Sequence, residues 1–388
     1  MSEFIPLSEP NIGGNAWKYV KQCLDTGWVS GAGAFVDQFE EKICKYTGSP
    51  YAVAVVNGTS GLQLALRLCG VRPGDEVLVP TLTFIAPINT VRYVGAEPVF
   101  MDCDNFMNLD PKKTEEFLKK ECHVTRKGVI NKKTHRIIKA IIPVHVFGNP
   151  CDMKEIMRVA RRFNLKVIED ATESLGSRYT EGKYKGRHTG TIGDFGVFSF
   201  NGNKIATTGS GGTLITADKK LAAAAKHLST QAKLDGVRYV HDDVGYNFRL
   251  TNMQAALGLA QLEQLPSFIK IKKSNYLAYK KAFSQIQGLD FLGIPKGVDP
   301  NYWFYSLSLS GPEQREALMA FLVKQGIQSR PVWELNHRQK PYAHNQSYRI
   351  EKSPEFRDRV LNIPCSSGLT SAKVNKVCSA IKEFVWKK

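Results

Sequence analysis

The chain has 388 residues, 43% of them hydrophobic and 23% charged, with a formal net charge of +17. This composition can bury one large core or two and excludes a disordered or fibrous chain. The opening residues lack a basic segment followed by an apolar run, and no stretch approaches the roughly 18 continuous apolar residues of a membrane span, so a soluble, cytoplasmic protein is expected.

The eight cysteines are scattered without CxxC spacing, which suggests neither a disulfide framework nor a metal site. The positive charge has two readings, solvated helix faces or a site for an anionic small molecule. Lysines such as Lys270 to Lys273 and the terminal pair Lys387 and Lys388 are dispersed, and no basic run is interleaved with aromatic residues. Nucleic acid is therefore not an expected partner.

Residues 1–30 are expected to run along the outside, and Phe35–Thr47 to form a helix entering a large domain. From residue 50 to about 215 one pattern repeats, a short β-branched apolar run ending in a polar or glycine-rich turn, then a helical stretch. The runs are Ala52–Val56, Glu76–Val79, Pro98–Met101, Ile137–Val144, Lys166–Ile168, Gly196–Phe200 and Gly212–Ile215. Such alternation argues for an α/β domain with a largely parallel sheet covered on both faces, which binds ligands beyond the carboxyl ends of its strands. After about residue 250 the texture changes to longer amphipathic stretches, Met253–Gln264, Ser267–Gln287 and Pro312–Gln325. The expected division is a large domain over 1–250 and a smaller α+β domain over 251–388.

Three turns carry chemistry. Asn57-Gly58-Thr59-Ser60-Gly61 leads into a helix over Leu62–Leu68, and glycine, hydroxyls and a helix N-terminus together suit a phosphate. An N-cap by Thr59 or Ser60 is the plainer reading, and the turn alone does not choose between them. Asp170, ending the run through Ile168, is either a carboxylate partner for a ring nitrogen or another helix cap. The third stretch runs from Gly196 to Gly212, with Lys204 between an apolar strand and a glycine-rich return. A lysine amine held out of bulk water there is placed for imine formation. Ser199, ahead of it, can donate to the same phosphate as Thr59 and Ser60.

Phosphate cradle, strand-end aspartate and glycine-flanked lysine, in that chain order, are the fixtures of a fold-type I pyridoxal phosphate (PLP) enzyme. The chain resembles the DegT/DnrJ/StrS family of nucleotide-sugar aminotransferases. The likeness runs through Trp28-Val-Ser-Gly31, Phe39-Glu40, Gly58-Thr-Ser60, Pro80-Thr-Leu-Thr-Phe-Ile-Ala86, Val144-His-Val-Phe-Gly148, Ile168-Glu-Asp-Ala171, Lys204, Asn247-Phe-Arg249, Arg330-Pro331 and Ile363-Pro-Cys365. The resemblance implies an aspartate-aminotransferase-like fold, with Lys204 as Schiff-base lysine and general acid/base and Asp170 as partner of the pyridine nitrogen. Phe84 stands where an aromatic ring stacks on the cofactor. Asn247 matches a residue that reaches the neighbouring subunit's cofactor phosphate, which implies a homodimer with shared active sites. Where many members carry Gln or His against the phenolic oxygen this chain has Glu173, which either shares a proton there or turns away.

The Glu173, Asn201-Gly-Asn-Lys204 and Arg330-Pro-Val-Trp-Glu-Leu-Asn-His337 stretches resemble the branch making bacillosamine and legionaminic acid precursors. Thr207-Thr208-Gly209 resembles members that aminate carbon 4 of the sugar. The substrate so implied is a UDP-linked 4-keto-6-deoxy-N-acetylhexosamine with glutamate as amino donor, giving a 4-amino sugar for surface glycan; GDP and dTDP are the alternative carriers. Trp28, Ser30, Arg249, Arg330, Trp333 and His337 are candidates around the nucleotide and sugar. Two rivals remain: an NAD-dependent nucleotide-sugar enzyme, for which Tyr276 to Lys280 satisfies YxxxK but no glycine-rich dinucleotide turn follows the first strand, and a non-catalytic sensor on a PLP fold.

Overall fold

A computed structural model describes residues 4–386. Residues 1–3, the start of the expected large domain, and Lys387 and Lys388, read above as part of a helix face, lie outside the described residues. All seven apolar runs form strands: β1 (Tyr51–Val55), β2 (Glu76–Pro80), β3 (Glu97–Met101), β4 (Ile137–Ile141), β5 (Lys166–Asp170), β6 (Phe195–Ser199) and β7 (Gly212–Thr216). They pair in the order β1-β7-β6-β5-β4-β2-β3, parallel from β6 to β3. Their side chains alternate into two cores, Val77, Val79 and Phe100 on one face and Leu78, Val99 and Met101 on the other. Both faces are covered, which is why the strands read as continuous apolar runs.

Only β7 among these seven runs antiparallel to its neighbours, β1 and β6. It returns from β6 through the loop 200–211, with no crossover helix. The register stacks Val55, Gly212 and Ser199 side by side. The turn after β1, the end of β5 and the loop bearing Lys204 therefore share one edge of the sheet.

Beyond residue 250 two of the expected stretches join. Met253–Gln264 and Ser267–Gln287 are one helix, Asn252–Phe283, running straight through Pro266. Proline removes one helical hydrogen bond, but Leu262, Leu265 and Phe268 around it are buried in the large core, and tertiary packing overrides the local break. The far end, Tyr276, Tyr279 and Phe283, enters a separate core with Ile5, Tyr305, Leu318 and Leu322. Tyr276 is thus a packed core aromatic, against Tyr302 and Phe291, and not a catalytic tyrosine beside Lys280. Behind this core lies an antiparallel sheet of Asp290–Phe291, Tyr305–Ser308, Val360–Ile363 and Arg330–Pro331. No helix among the described residues is long and apolar enough to cross a membrane.

Between Pro331 and Val360 the chain returns to the large sheet. Ser347–Tyr348 pairs with β3, and Asp102, fully buried just past β3, fastens the way back. Its carboxylate accepts from Lys113 Nζ at 2.6 Å, from the Ser353 hydroxyl at 2.6 Å and from the amides of Glu351, Lys352 and Ser353 at 2.9 Å. Burial alone pushes this carboxyl up, but the Lys113 ammonium, the Ser353 hydroxyl and the amides outweigh it and hold it well below the usual carboxylate range. A depressed folded value means the stabilisation is present above the unfolded pKa, about 3.9, and is lost as pH falls below it. Asp102→Asn is therefore expected to cost roughly 3 kcal/mol at pH 7, by leaving Lys113 and the amides short of their anion. The gap to wild type should begin to narrow below about pH 4 and go on narrowing as pH falls toward the folded value, as measured by urea unfolding at pH 7 and at a series of acidic pH values; a gap that stays constant would contradict this account.

Candidate active site

A cavity of about 430 Å³ opens at the shared edge of β1, β5 and β6. Gly58, Thr59, Phe84, Asp170, Glu173, Ser199, Lys204, Arg330 and Trp333, nine of the residues singled out from sequence, line it. The helix after β1 begins at Gly58, four residues before the sequence-based start at Leu62, and its cap is Asn57, whose side chain accepts the Ser60 amide at 2.8 Å. The capping role considered for Thr59 or Ser60 thus belongs to Asn57. Thr59 faces the cavity, while Ser60 is buried and off its wall. A Cβ on Gly58 would stand 3.0 Å from Thr172 Cγ2 and 3.2 Å from Ser199 Cβ, so glycine keeps the helix N-terminus open to a ligand anion.

Asp170 ends β5 with 2% exposure and has no ion-pair partner among the described residues; its Oδ1 accepts the Thr172 amide at 3.1 Å. The following residues form turns, not a helix, so there is nothing for it to cap. Burial raises its carboxyl, against the opposing pull of the Thr172 hydroxyl and amide and the Lys204 ammonium. A buried acid without a cation is suited to a cationic ligand group. The backbone beneath it is fixed by a pair the sequence reading passed over. Glu169 accepts amides from Gly190, Ile192 and Gly193 at 2.9, 2.6 and 2.6 Å. It also faces His145 Nε2 at 3.0 Å. His145 Nδ1 accepts the Cys151 amide at 3.0 Å, so Nε2 carries the proton and donates to Glu169.

Lys204 Nζ lies 3.5 Å from Glu173 Oε1 and 4.0 Å from the centre of the Trp303 ring. Glu173 does not turn away from the lysine. Its Oε2 accepts the amide of Phe147 at 2.8 Å, and Phe147 holds a left-handed φ of 54° to present that amide. Burial raises the Glu173 carboxyl, while the Lys204 ammonium and the Phe147 amide oppose it. Phe147, Phe304 and Trp333 form an aromatic wall, Phe147 and Trp333 being 4.7 Å apart. Phe147 and Phe304 were not selected from sequence, where an apolar residue after a strand reads as core. Trp303 was missed too, although the run Tyr302-Trp-Phe-Tyr305 was its signal.

The remaining candidates lie off this wall. His337 sits below it, Nδ1 at 2.6 Å from the Thr81 hydroxyl. Together with Asn336, which donates to the carbonyls of Thr81 and Thr83 at 3.2 and 2.8 Å, it holds the loop that carries Phe84. Trp28 is exposed, and its carbonyl, like that of Ser30, is held by Asn252 at 2.7 Å. Arg249 packs against Gly31 and bridges Val55 at the end of β1. Asn247 is exposed two residues earlier. None of the described residues forms a metal-binding group of three or more, and all eight cysteines are free.

This donor set suits PLP group by group: an open helix N-terminus and hydroxyls for a phosphate, a buried unpaired carboxylate for a pyridinium, a lysine amine for an aldehyde. The DegT/DnrJ/EryC1/StrS aminotransferase family matches residues 10–382. The chain belongs to that family. It is 39% identical to a GDP-perosamine synthase of Escherichia coli O157:H7, over 98% of this chain and 99% of that one. A GDP-perosamine synthase of Caulobacter vibrioides is 37% identical, over 98% of each. Among solved structures, a DegT/DnrJ/EryC1/StrS aminotransferase from Brucella abortus superposes with a TM-score of 0.86 at 28% identity, over 95% of each chain. The family member is accordingly a PLP-dependent nucleotide-sugar aminotransferase with the fold-type I architecture.

Proposed function

We propose that the chain transfers an amino group, with glutamate as donor, to the 4-keto carbon of a GDP-linked 4-keto-6-deoxy sugar. The observation that carries the choice of carrier is the likeness along nearly the whole chain to enzymes named GDP-perosamine synthase. It favours GDP over the UDP-linked, 2-acetamido substrate of the sequence reading and leaves the bacillosamine and legionaminic acid branch without specific support. The carbon-4 assignment rests on Thr207 and Thr208. Both are buried and bond to Phe200 and Ser210 carbonyls, so they act by shaping the loop whose Asn201, Asn203 and Ser210 reach the cavity.

When bound, PLP supplies an aldehyde that takes the donor's nitrogen and passes it to the keto carbon, with its protonated ring as electron sink. In this reading the amides of Gly58 and Thr59 and the Ser199 hydroxyl hold the phosphate, Phe84 covers one ring face, and Asp170 keeps the ring nitrogen protonated. Lys204 would anchor the aldehyde, and its amine is placed to hold and move a proton there. Glu173, with one oxygen fixed by the Phe147 amide, presents the other to that amine. Arg330 offers a fork to the donor carboxylate or the diphosphate. Phe147 and Trp333 exclude water beside it.

The test is turnover of the purified protein with glutamate and matched GDP-, UDP- and dTDP-linked 4-keto-6-deoxy sugars, read by product mass. GDP is expected to give the highest kcat/KM, by at least about tenfold, about the cost of one hydrogen-bonding group left unpaired. A UDP preference would return the carrier to the sequence reading, and faster use of a 3-keto isomer would defeat the carbon-4 assignment.

The same reading makes the working unit a homodimer. Trp28, Val237, Tyr239 and Val244 are 59–89% exposed, apolar surface that a second copy would cover. Mixing inactive Lys204→Ala and Asn247→Ala chains is expected to restore about a quarter of wild-type activity at equal, random exchange, because each mixed dimer has one site with both residues intact. No recovery after demonstrated exchange would place Asn247 in its own chain's site.

A further inference from the structure

We infer that Trp303 is a positioning residue for Lys204, holding the backbone beside the lysine with its indole N–H and the amine itself with its ring face. This rests on the proposed role of Lys204. Trp303 Nε1 donates to the carbonyl of Asn203, the residue before the lysine, at 2.8 Å. The hydroxyl of Ser8 donates to the same oxygen at 3.1 Å, so both its lone pairs are engaged. Lys204 N in turn donates to the Asn201 carbonyl at 2.9 Å. Within the loop 200–211 the stretch Asn201–Asn203 ahead of the lysine is exposed or half-buried, whereas Ile205–Thr208 after it is buried, so these contacts fix the open side of the lysine. The ring of the same tryptophan lies 4.0 Å from Nζ, within cation–π range and almost out of water.

The segment carrying Trp303 is itself rigidly placed. Asn301 is fully buried, and its side chain donates to the carbonyls of Glu173 and Leu175 at 2.9 and 3.0 Å. Its Oδ1 accepts the Trp303 amide at 3.0 Å. Gly148, at a φ of 89°, leaves the room, since a Cβ there would fall 1.9 Å from Asn301 Oδ1. Tyr302, between them, takes a left-handed φ of 56°. One three-residue stretch thereby sets the turn bearing Glu173 and the loop bearing Lys204 relative to each other, and with them the 3.5 Å spacing of carboxylate and amine. A buried indole N–H needs an acceptor wherever it packs, but core filling alone does not call for that acceptor to be the carbonyl beside the lysine, nor for the amine to stand over the ring.

The experiment uses the holoenzyme with Trp303→Phe, Trp303→Leu and Ser8→Ala, read by pH titration of the cofactor's visible absorption band and by kcat and KM. Glu173, Asp170 and Arg330 face the same cavity and stay unchanged in every variant. Trp303→Phe keeps an aromatic face and loses the indole donor, so kcat should fall about tenfold while the titration midpoint stays within about 0.3 unit of wild type. Trp303→Leu loses both, and a ring face favours the cationic form of the nitrogen above it, so the midpoint should also move down by about one pH unit. KM for the sugar should change less than about threefold in each, since the cost falls on the reacting amine and not on substrate binding. Ser8→Ala should lower kcat about threefold with the midpoint unmoved.

A Trp303→Leu midpoint equal to that of Trp303→Phe, or a Trp303→Phe kcat within twofold of wild type, overturns the inference. Should Trp303→Leu fail to fold, Trp303→Phe and Ser8→Ala decide it by kcat alone. Borohydride fixation and peptide mapping of the wild type separate the two levels. Cofactor fixed anywhere but Lys204 ends the reading of the site, whereas cofactor on Lys204 with unaltered variants ends only the role of Trp303.

Discussion

Lys204→Ala is expected to lower turnover by at least about ten-thousand-fold while the protein stays folded. Among the described residues no other lysine lines the cavity, so none of them there can replace the amine as anchor for the aldehyde or as carrier of the proton. The fold survives for a reason visible in the pairing. Among the described residues the hydrogen-bonding partner of Nζ is Glu173, at a long 3.5 Å. Burial already raises the Glu173 carboxyl. Removing the ammonium takes away a charge that opposes this rise, so the carboxyl is pushed further toward its neutral form while its bond to Phe147 remains. Lys204→Arg should fail equally, because guanidinium stays protonated and is not a nucleophile. Turnover with glutamate and the keto sugar, beside circular dichroism and thermal melting, checks both halves. Substantial turnover in the alanine variant would remove Lys204 from the chemistry.

Asp170→Asn should reduce kcat by roughly a thousandfold, comparable to losing a preorganised charge at a reacting centre. Stability should move the other way. The carboxyl is raised by burial, and a carboxyl raised on folding costs stability at pH values above its folded pKa. At neutral pH the uncharged amide is then the better side chain for the cofactor-free chain, and its oxygen still accepts from Thr172 as Oδ1 does at 3.1 Å. The expected result is a cofactor-free melting temperature equal to or a few degrees above wild type, with activity nearly lost. A variant that melts lower and keeps its activity per bound cofactor would make Asp170 a structural residue.

Much of the fold and of the site is legible in the amino-acid sequence. The seven strands are visible because a sheet covered on both faces demands continuous apolar runs, and the position of the site follows from the rule that ligands gather at carboxyl strand ends. Gly58, Asp170, Ser199 and Lys204 can be chosen because each lies close to such an end, where chain position and spatial position coincide. Pro266 misleads for the converse reason. A proline breaks a helix locally, and only the packing of Leu262, Leu265 and Phe268 on a distant core keeps Asn252–Phe283 whole.

What the sequence by itself determined is the family, through motifs along nearly the whole chain, and the α/β sheet; the amine, the acid and the glycine-rich turn it singles out all line one cavity. Tertiary structure alone decided which side chains stand against that amine. Glu173, held by the Phe147 amide, and Trp303 meet Lys204 from segments far apart in the chain, and His337 leaves the wall to hold Thr81. Periodicity and turn signals report contacts between near neighbours in sequence. Contacts closed by long loops leave no local trace, since their energy lies in a geometry that forms only when both segments are already packed.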